Sequence, residues 1–487
     1  MPESVTHVER RGVRRAVVIG GGLAGMLAAS VLAEVAGEVT VVERDVLPDR
    51  PEPRKGMPQA QHAHLLWSGG ARAIEELLPG TLEKWTSNGA RRIPLPTGLV
   101  SMSAKGWLRR FGEMQYLVAC SRDLLDWAVR DTVIRHPSIT VLERTELLQL
   151  RGTAARVTGV QIRHADGEQS TLEADLVVDT SGRGSSAPQW LGALGVPAVH
   201  EEEVDSGLAY ATRIFRAPPG TEHYPVVNVQ SNPREPRPGQ TATIVPIEAG
   251  RWLVTLSGTR GGQPTRDADA FEAFARGVRH PIVGELISHA EPLTDVVLSR
   301  STVNRRRFYE KIASWPDGFI AIGDSVATYN PVYGHGMSVA AQGVRSLRDA
   351  LRRHGLAEPG LARRVQKDVA RPVAVAWDLA TGQDIHYPGA IGKQPGKAAD
   401  LLGRYVDRLM RTATARPLVT RALLDVMTLN TPLPALVRPA VLLAVLRGPR
   451  SRPLAGPPLS REELELVTRH ALARRPASDT ATTEPRP

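Results

Sequence analysis

The stretch that most constrains the fold is residues 15–44, RAVVIGGGLAGMLAASVLAEVAGEVTVVER. A short β-rich run at 16–19 feeds a glycine turn, Gly20-x-Gly22-x-x-Gly25. A small-residue helix is expected over 23–36 and a second apolar strand over 39–42, ending in Glu43. The spacing has physical reasons. Gly20 permits the tight turn out of the strand, Gly22 lets a pyrophosphate approach the backbone, and Gly25 lets the helix lie close against the sheet. The unpaired N–H groups and the dipole at the helix start favour phosphate there. Glu43, eighteen residues beyond Gly25, is placed to accept hydrogen bonds from an adenosine ribose. A glycine turn alone is weak evidence, but this one sits in a strand–turn–helix–strand–acid context that points to a dinucleotide.

Further along, a helix carrying Ala71, Ile74, Leu77 and Leu78 stops at Pro79-Gly80, and short strands fill 90–118. A helix is expected over 121–135, then strands over 139–142, 147–150 and 155–163. An apolar strand over 172–179 runs into the turn Thr180-Ser181-Gly182-Arg183-Gly184-Ser185. From 207 to 260 the period is two, with a hairpin across Glu248-Ala249-Gly250, so a mostly antiparallel sheet is expected there. Leu208, Tyr210, Thr212 and Ile214 share one face of its first strand, and Ala209, Ala211, Arg213 and Phe215 share the other. Which face meets a substrate is open at this point. Helices are expected over 271–290, 337–353, 360–384, most of 399–447, and 460–473; residues 1–13 read as a loose lead-in. The fold class is therefore α/β: a Rossmann-like dinucleotide-binding domain, a mostly antiparallel β-sheet substrate domain and a C-terminal helical region. The first takes residues 14–85, 119–200 and 301–385, the second 86–118 and 201–300, the third 386–475, with a disordered tail over 476–487.

The chain has 487 residues and a formal net charge of +10, but its arginines are scattered rather than striped among aromatics, which argues against nucleic acid. A single cysteine, Cys120, excludes an intramolecular disulfide and suits a cytoplasmic location. No run of eighteen apolar residues occurs, so no stable membrane insertion is expected. Residues 432–447 come nearest, yet Pro434, Arg438 and Pro439 interrupt them, and they read as a buried or interfacial helix. A non-catalytic protein docked to an anionic surface would need basic residues on one helix face. Arg438, Arg447, Arg450 and Arg452 give only a modest sign of that.

The chemistry gathers in a third stretch, 319–343, FIAIGDSVATYNPVYGHGMSVAAQG. An apolar strand delivers Gly323-Asp324 to the sheet end, where the acid can bond a ribityl hydroxyl. Pro331, Gly334 and Gly336 then carry the backbone past a flat ring, and the helix beginning at Met337 aims its positive end at the anion of a reduced flavin. No metal-spaced ligand set is present: His62-x-His64 has no companions, and a hydrogen-bonding role suits it better.

With these residues in view, the chain resembles the flavoprotein monooxygenase superfamily of the para-hydroxybenzoate hydroxylase fold, over about residues 14–385. The resemblance implies bound FAD held by Gly20, Gly22, Gly25 and Glu43, with Arg44 and Arg54 alongside and Arg122 near the ribityl-phosphate chain. It implies Asp324 and the loop Pro331, Gly334, Gly336, Met337 around the ring, although Met337 stands where the family has Asn. The motif Asp179-Thr180-Ser181-Gly182 likewise departs from the family's central Asp-Gly. A narrower resemblance lies in RKGMPQAQHAHLLWSGGARAIEELLPG, CSRDLLDWAVR, DLVVDTSGRGS, STVNRRRFYE and NPVYGHGMS. These are similar to the actinomycete polyether epoxidases of lasalocid and monensin type. That implies epoxidation of a linear, apolar polyene polyketide, free or carrier-protein-bound, through a C4a-hydroperoxyflavin, using O2 and NADPH or NADH. A single dinucleotide fingerprint means that the nicotinamide donor binds transiently or a separate flavin reductase serves. His335 and Tyr333 are the candidate catalytic residues and Tyr210 and Thr212 the candidate substrate contacts; anchoring and packing roles are the alternatives for all four. Aromatic hydroxylation and alkene reduction are the competing reactions. A halogenase would need a tunnel lysine and a WxWxIP-like motif, and Trp107, Trp127 and Trp252 have no such neighbours.

Overall fold

The computed structural model describes residues 13–300, 302–394 and 396–466, so the readings for the lead-in and the tail fall almost wholly outside it. The expected parallel sheet is present, with five strands in the order Phe319–Ala321, Leu176–Asp179, Arg15–Ile19, Glu38–Val42 and Ile139–Leu142. Ile19 pairs with Val42 on one side and Asp179 on the other, and Asp179 pairs with Ala321. Because all strands run the same way, Gly20, Glu43, Thr180 and Ile322 emerge together at one edge. Ligands of open α/β sheets bind at that carboxyl edge. The strands read as continuous apolar runs because helices cover the sheet: Leu23–Ala33, Arg122–Val133, Gly336–His354 and Leu361–Asp384 all contribute to its core.

A second sheet of eight strands is centred on the antiparallel set Ala209–Arg216, Arg251–Gly258, Gln240–Ile247 and Val226–Val229. The hairpin turn is where the sequence places it, with Ala249 and Gly250 at φ 60° and 63°. One face, with Ala211, Phe215, Val254 and Leu256, packs on helices Ala268–Gly277 and Ile282–Ile287. The other, with Tyr210 and Thr212, turns toward the parallel sheet's carboxyl edge, as their bonds below show. A small sheet of Leu65–Trp67, Gln115–Ala119 and Arg91–Leu95 lies between, sharing an apolar cluster with Val226, Val245 and Leu253. The C-terminal helices Lys397–Ala413, Pro417–Met427 and Pro439–Arg447 form their own small core.

Three expectations differ. The helix expected over 271–290 is two helices, because Val278 is extended and Pro281 begins a new turn. The strand expected over 172–179 is split: Gln169–Glu173 pairs with Val157–Arg163, and Leu176–Asp179 belongs to the parallel sheet. The chain changes sheets at Asp175, whose carboxylate takes the Arg15 N–H and the Arg14 guanidinium. Of the short strands expected to fill 90–118, the segment WLRRF (107–111) is strand only at Trp107, after which Arg109 and Arg110 turn to the carbonyl of Arg452 and the carboxylate of Glu463. The C-terminal block is mostly helical as expected, its three helices separated at residues 414–416 and by a 3-10 turn at Leu433–Val437.

Candidate active site

The glycine turn meets its steric demands closely. Gly20 has φ 97°, and a Cβ there would stand 2.8 Å from the Thr180 carbonyl. A Cβ on Gly25 would stand 1.8 Å from the Gly20 carbonyl, so only glycine lets this helix reach the strand end. At Gly22 a Cβ would meet nothing within 4 Å: this is open space over a helix start that no side chain caps. Three N–H groups of the first turn have no intrahelical partner and face that space. Glu43 is buried, and its Oε2 accepts the Gly21 N–H at 2.6 Å and pairs with Arg54 at 2.8 Å. Its Oε1 takes the Asp45 N–H at 2.9 Å, which leaves one acceptor position on the carboxylate. Arg54 also bonds the Gly21 carbonyl at 3.2 Å, while its Nε is buried with no partner. Arg54 therefore locks the Glu43 carboxylate in place. Arg44, by contrast, is exposed.

The second wall comes from three turns. Ser121 caps the helix Arg122–Val133 by accepting the Leu124 N–H, and Arg122 spends its Nε on Asp126 at 2.8 Å. Asp324 is open to solvent although Gly323 and Ser325 beside it are buried. Enclosure raises its carboxyl pKa, and the nearby cations Arg122 and Arg183 pull it back. Asp179 is fully buried and holds the intervening turn by accepting the Ser181 N–H and the hydroxyls of Ser181 and Ser185. Its role is thus to shape the turn that carries Arg183.

The third wall is the loop Pro331 to Met337. Asn330 opens it by accepting the Val332 N–H, and Gly334 turns it at φ 66°, with Trp67 Nε1 donating to the Tyr333 carbonyl at 3.0 Å. Pro331 and Gly336 are half-buried, Met337 is buried, and helix Gly336–His354 starts without a side-chain cap. Its free N–H groups supply the positive end expected from sequence. Behind the loop lies a polar hub that sequence reasoning missed. Asp384, buried at the end of helix Leu361–Asp384, accepts from Asn304 Nδ2 at 2.7 Å, Asn330 Nδ2 at 2.9 Å and Tyr333 OH at 2.7 Å. Asn304 Oδ1 in turn accepts the Asn330 N–H, and Tyr210 OH donates to Asn330 Oδ1. Burial pushes the Asp384 carboxyl up against the hydrogen bonds that pull it down. Its only sequence signal is an acid at the end of an otherwise apolar-striped helix.

The hub changes the reading of the proposed catalytic pair. Tyr333 gives its hydroxyl proton to Asp384, and burial lifts its pKa well above the ordinary phenol value. His335 donates Nε2–H to the Met427 carbonyl at 3.0 Å, so its remaining nitrogen is a bare, buried acceptor. Burial lowers its pKa to about 4. In this arrangement the hydroxyl of Tyr333 and the Nε2–H of His335 are both engaged, in bonds that tie the loop to Asp384 and Met427. The substrate candidates are similarly engaged. Tyr210 OH is bound to Asn330, and Thr212 Oγ1 bonds both His62 Nδ1 at 2.7 Å and Thr255 Oγ1 at 2.8 Å. His62 Nε2 is left buried without a partner, and burial holds its pKa at about 4. His64 Nδ1 bonds the His62 carbonyl at 2.8 Å, and among the described residues no group of three or more His, Cys, Asp or Glu side chains could hold a metal ion.

The open space at Gly22, the enclosed but accessible Asp324 and the two uncapped helix starts together fit a long anionic cofactor ending in a flat ring. The FAD binding domain family model matches residues 14–355. Among curated proteins, Protein Rv3254 of Mycobacterium tuberculosis is 29% identical over 417 residues, spanning 83% of this chain and 87% of that protein. Kynurenine 3-monooxygenase of Salinispora arenicola is 28% identical over 413 residues, spanning 80% of this chain and 84% of that protein. Among solved structures, p-nitrophenol 4-monooxygenase PnpA of Pseudomonas putida superposes with a TM-score of 0.60 at 15% identity, covering 86% of this chain and 98% of that one. PqsL, a probable FAD-dependent monooxygenase from Pseudomonas aeruginosa, gives 0.56 at 18% identity, covering 77% and 97%. The chain belongs to the FAD binding domain family and has the fold of FAD-dependent monooxygenases.

Proposed function

We propose that the chain is an FAD-dependent monooxygenase whose reaction is epoxidation of one or more C=C bonds in a linear polyene polyketide. The observation that carries this reading is the convergence of three glycine-bearing turns and Asp324 on one edge of the parallel sheet, beside a second sheet that can hold a substrate. Bound FAD, reduced by a nicotinamide donor directly or through a reductase, would supply the oxygen-activating chemistry. The protein's own work is then to hold the cofactor with Glu43, Arg122 and Asp324, to shape the ring platform with residues 331–337, and to exclude water.

The state of the nearby titratable groups supports an alkene over a phenol. An alkene needs no proton removed, whereas a phenol gains reactivity from a base. His62 and His335 sit at about 4, which makes them weak bases, and Tyr210 and Tyr333 already donate their hydroxyl protons. The likeness to kynurenine 3-monooxygenase supports aromatic hydroxylation as the second reading. The test is the visible spectrum of the purified protein, followed by turnover of a linear polyene with NADPH and O2, read by mass. Flavin bands with products heavier by whole oxygen atoms, opened by acid to diols, support epoxidation. Products heavier by two hydrogens indicate alkene reduction, and oxygenation of an aromatic acid but not of the polyene indicates the second reading. Colourless protein that does not take up FAD overturns the assignment.

A further inference from the structure

The C-terminal helix Pro439–Arg447 is apolar on every side. Val441, Ala444 and Val445 enter the small C-terminal core, as the packing of a surface helix requires. Yet Leu442, Leu443 and Leu446 point outward, with Leu443 49% and Leu446 67% exposed. A helix with apolar residues all round is one that something covers. The arginine spacing says what kind of surface that is. Arg438, Leu442 and Leu446 lie four apart along one stripe, and Leu443 and Arg447 lie four apart on the next. The outward face is thus leucine flanked by arginine at both ends. Arg416 Nε bonds the Gly448 carbonyl at 2.9 Å, bringing the start of helix Pro417–Met427, with Leu418 47% exposed, to the same end.

Charge in this block is one-sided. Residues 402–452 hold nine arginines and two acids, Asp407 and Asp425. Asp407 is paired with Lys105 and Arg234, and Asp425 accepts from Gln115, so both are spent inward. The side chains of Arg421, Arg438, Arg447 and Arg450 have no ion pair or hydrogen bond among the described residues. We propose that this face docks on an anionic lipid surface, the leucines entering the headgroup boundary and the arginines meeting lipid phosphates. A second copy meeting the same face would set arginine against arginine with no acid to relieve it. Residues 438–447 also lack the aromatics, amides and hydroxyls by which protein interfaces fix a partner. Residues 467–487 have only Val467 and Leu472 as large aliphatics and add further arginines, so they are poorly matched to cover it.

The docking is independent of which reaction the enzyme performs. Co-sedimentation of the FAD-loaded full chain with phosphatidylglycerol–phosphatidylcholine vesicles tests it against pure phosphatidylcholine vesicles. Binding to the anionic vesicles only, weakened by salt, is expected. An R438Q/R447Q variant should bind about 25-fold more weakly, at about fivefold per arginine. An L442Q/L446Q variant should lose at least about tenfold. Both should keep wild-type flavin content and thermal midpoint. Failure of the wild type to bind anionic vesicles, equal binding to neutral ones, or leucine variants that bind normally would each overturn the proposal. So would a dimer in light scattering that L442Q/L446Q dissociates, since a second copy would then be the occupant. Retention on an immobilised acidic carrier protein, with vesicles ignored, would assign the face to a protein and overturn it likewise.

Discussion

Tyr333→Phe separates anchoring from catalysis at the centre of the site. The substitution removes one oxygen and leaves the ring, so no cavity forms. What is lost is the 2.7 Å hydrogen bond from a buried phenol to the buried Asp384 carboxylate. A bond to a charged group contributes about 1.5–3 kcal/mol. Unfolding entropy of about 2.1 cal/mol/K per residue gives about 1 kcal/mol/K for 487 residues, so the midpoint should fall by about 1.5–3 °C. Removing the donor also pushes the Asp384 carboxyl, already raised by burial, further up. Turnover of bound substrate should fall by less than tenfold, because the loop remains held by Asn330 and His335. Thermal unfolding followed by flavin fluorescence and single-turnover oxygenation are the two assays. A proton donor in the chemical step contributes about 10²–10⁴-fold. A hundredfold loss of turnover with an unchanged midpoint and full flavin content would refute the anchoring role.

Other perturbations follow from the same geometry. Gly22→Val places its side chain in open space, so the apoprotein should fold normally while FAD retention in gel filtration is lost. Gly25→Ala drives a methyl into the Gly20 carbonyl and should cost about 1–3 kcal/mol even without cofactor; a urea midpoint equal to wild type would contradict this. Asp324→Ala should weaken FAD binding by about 10–100-fold, from loss of a hydrogen bond to a charged group, with the fold retained by circular dichroism. Stability should depend on pH through His62 and His335, whose folded pKa values of about 4 lie below the 6.5 of the free side chain. The unfolded chain takes up these protons first as pH falls. Stability is therefore full above 6.5 and is lost toward 4, on the order of 3 kcal/mol per histidine. A His62→Gln, His335→Gln double variant should make that part of the urea-midpoint profile shallower, leaving the contribution of the buried His64, whose pKa burial lowers to about 3, and an unaltered slope would count against the buried neutral pair.

The parts of the site legible in sequence were those fixed by local geometry. Gly20, Gly25 and Glu43 follow from chain sterics within one βαβ unit, and the structure finds them where that unit requires. The turn ahead of helix Gly336–His354 was legible for the same reason, since Gly334 supplies a left-handed turn before a helix start. Asp384, Asn304 and Arg183 were not, because their importance arises from contacts between segments 50 to 140 residues apart, as with Asn330 and Asp384 at a separation of 54. His335 shows the limit from the other side. Its position beside the ring loop was readable, but its employment depends on Met427, 92 residues away. Helix breaks were missed where apolar periodicity continued across Pro281.

The family match ends at residue 355, yet the loop Pro331 to Met337 is held by Asp384 and Met427 beyond it. Gly69 N–H and Gln342 Nε2 likewise bond the carbonyls of Thr428 and Leu429. A fragment cut at the family boundary would keep every recognisable nucleotide motif and lose the supports of its own platform. The smallest piece worth expressing for flavin chemistry therefore extends through at least residue 430, where Asn430 closes the seam by donating to Ser68.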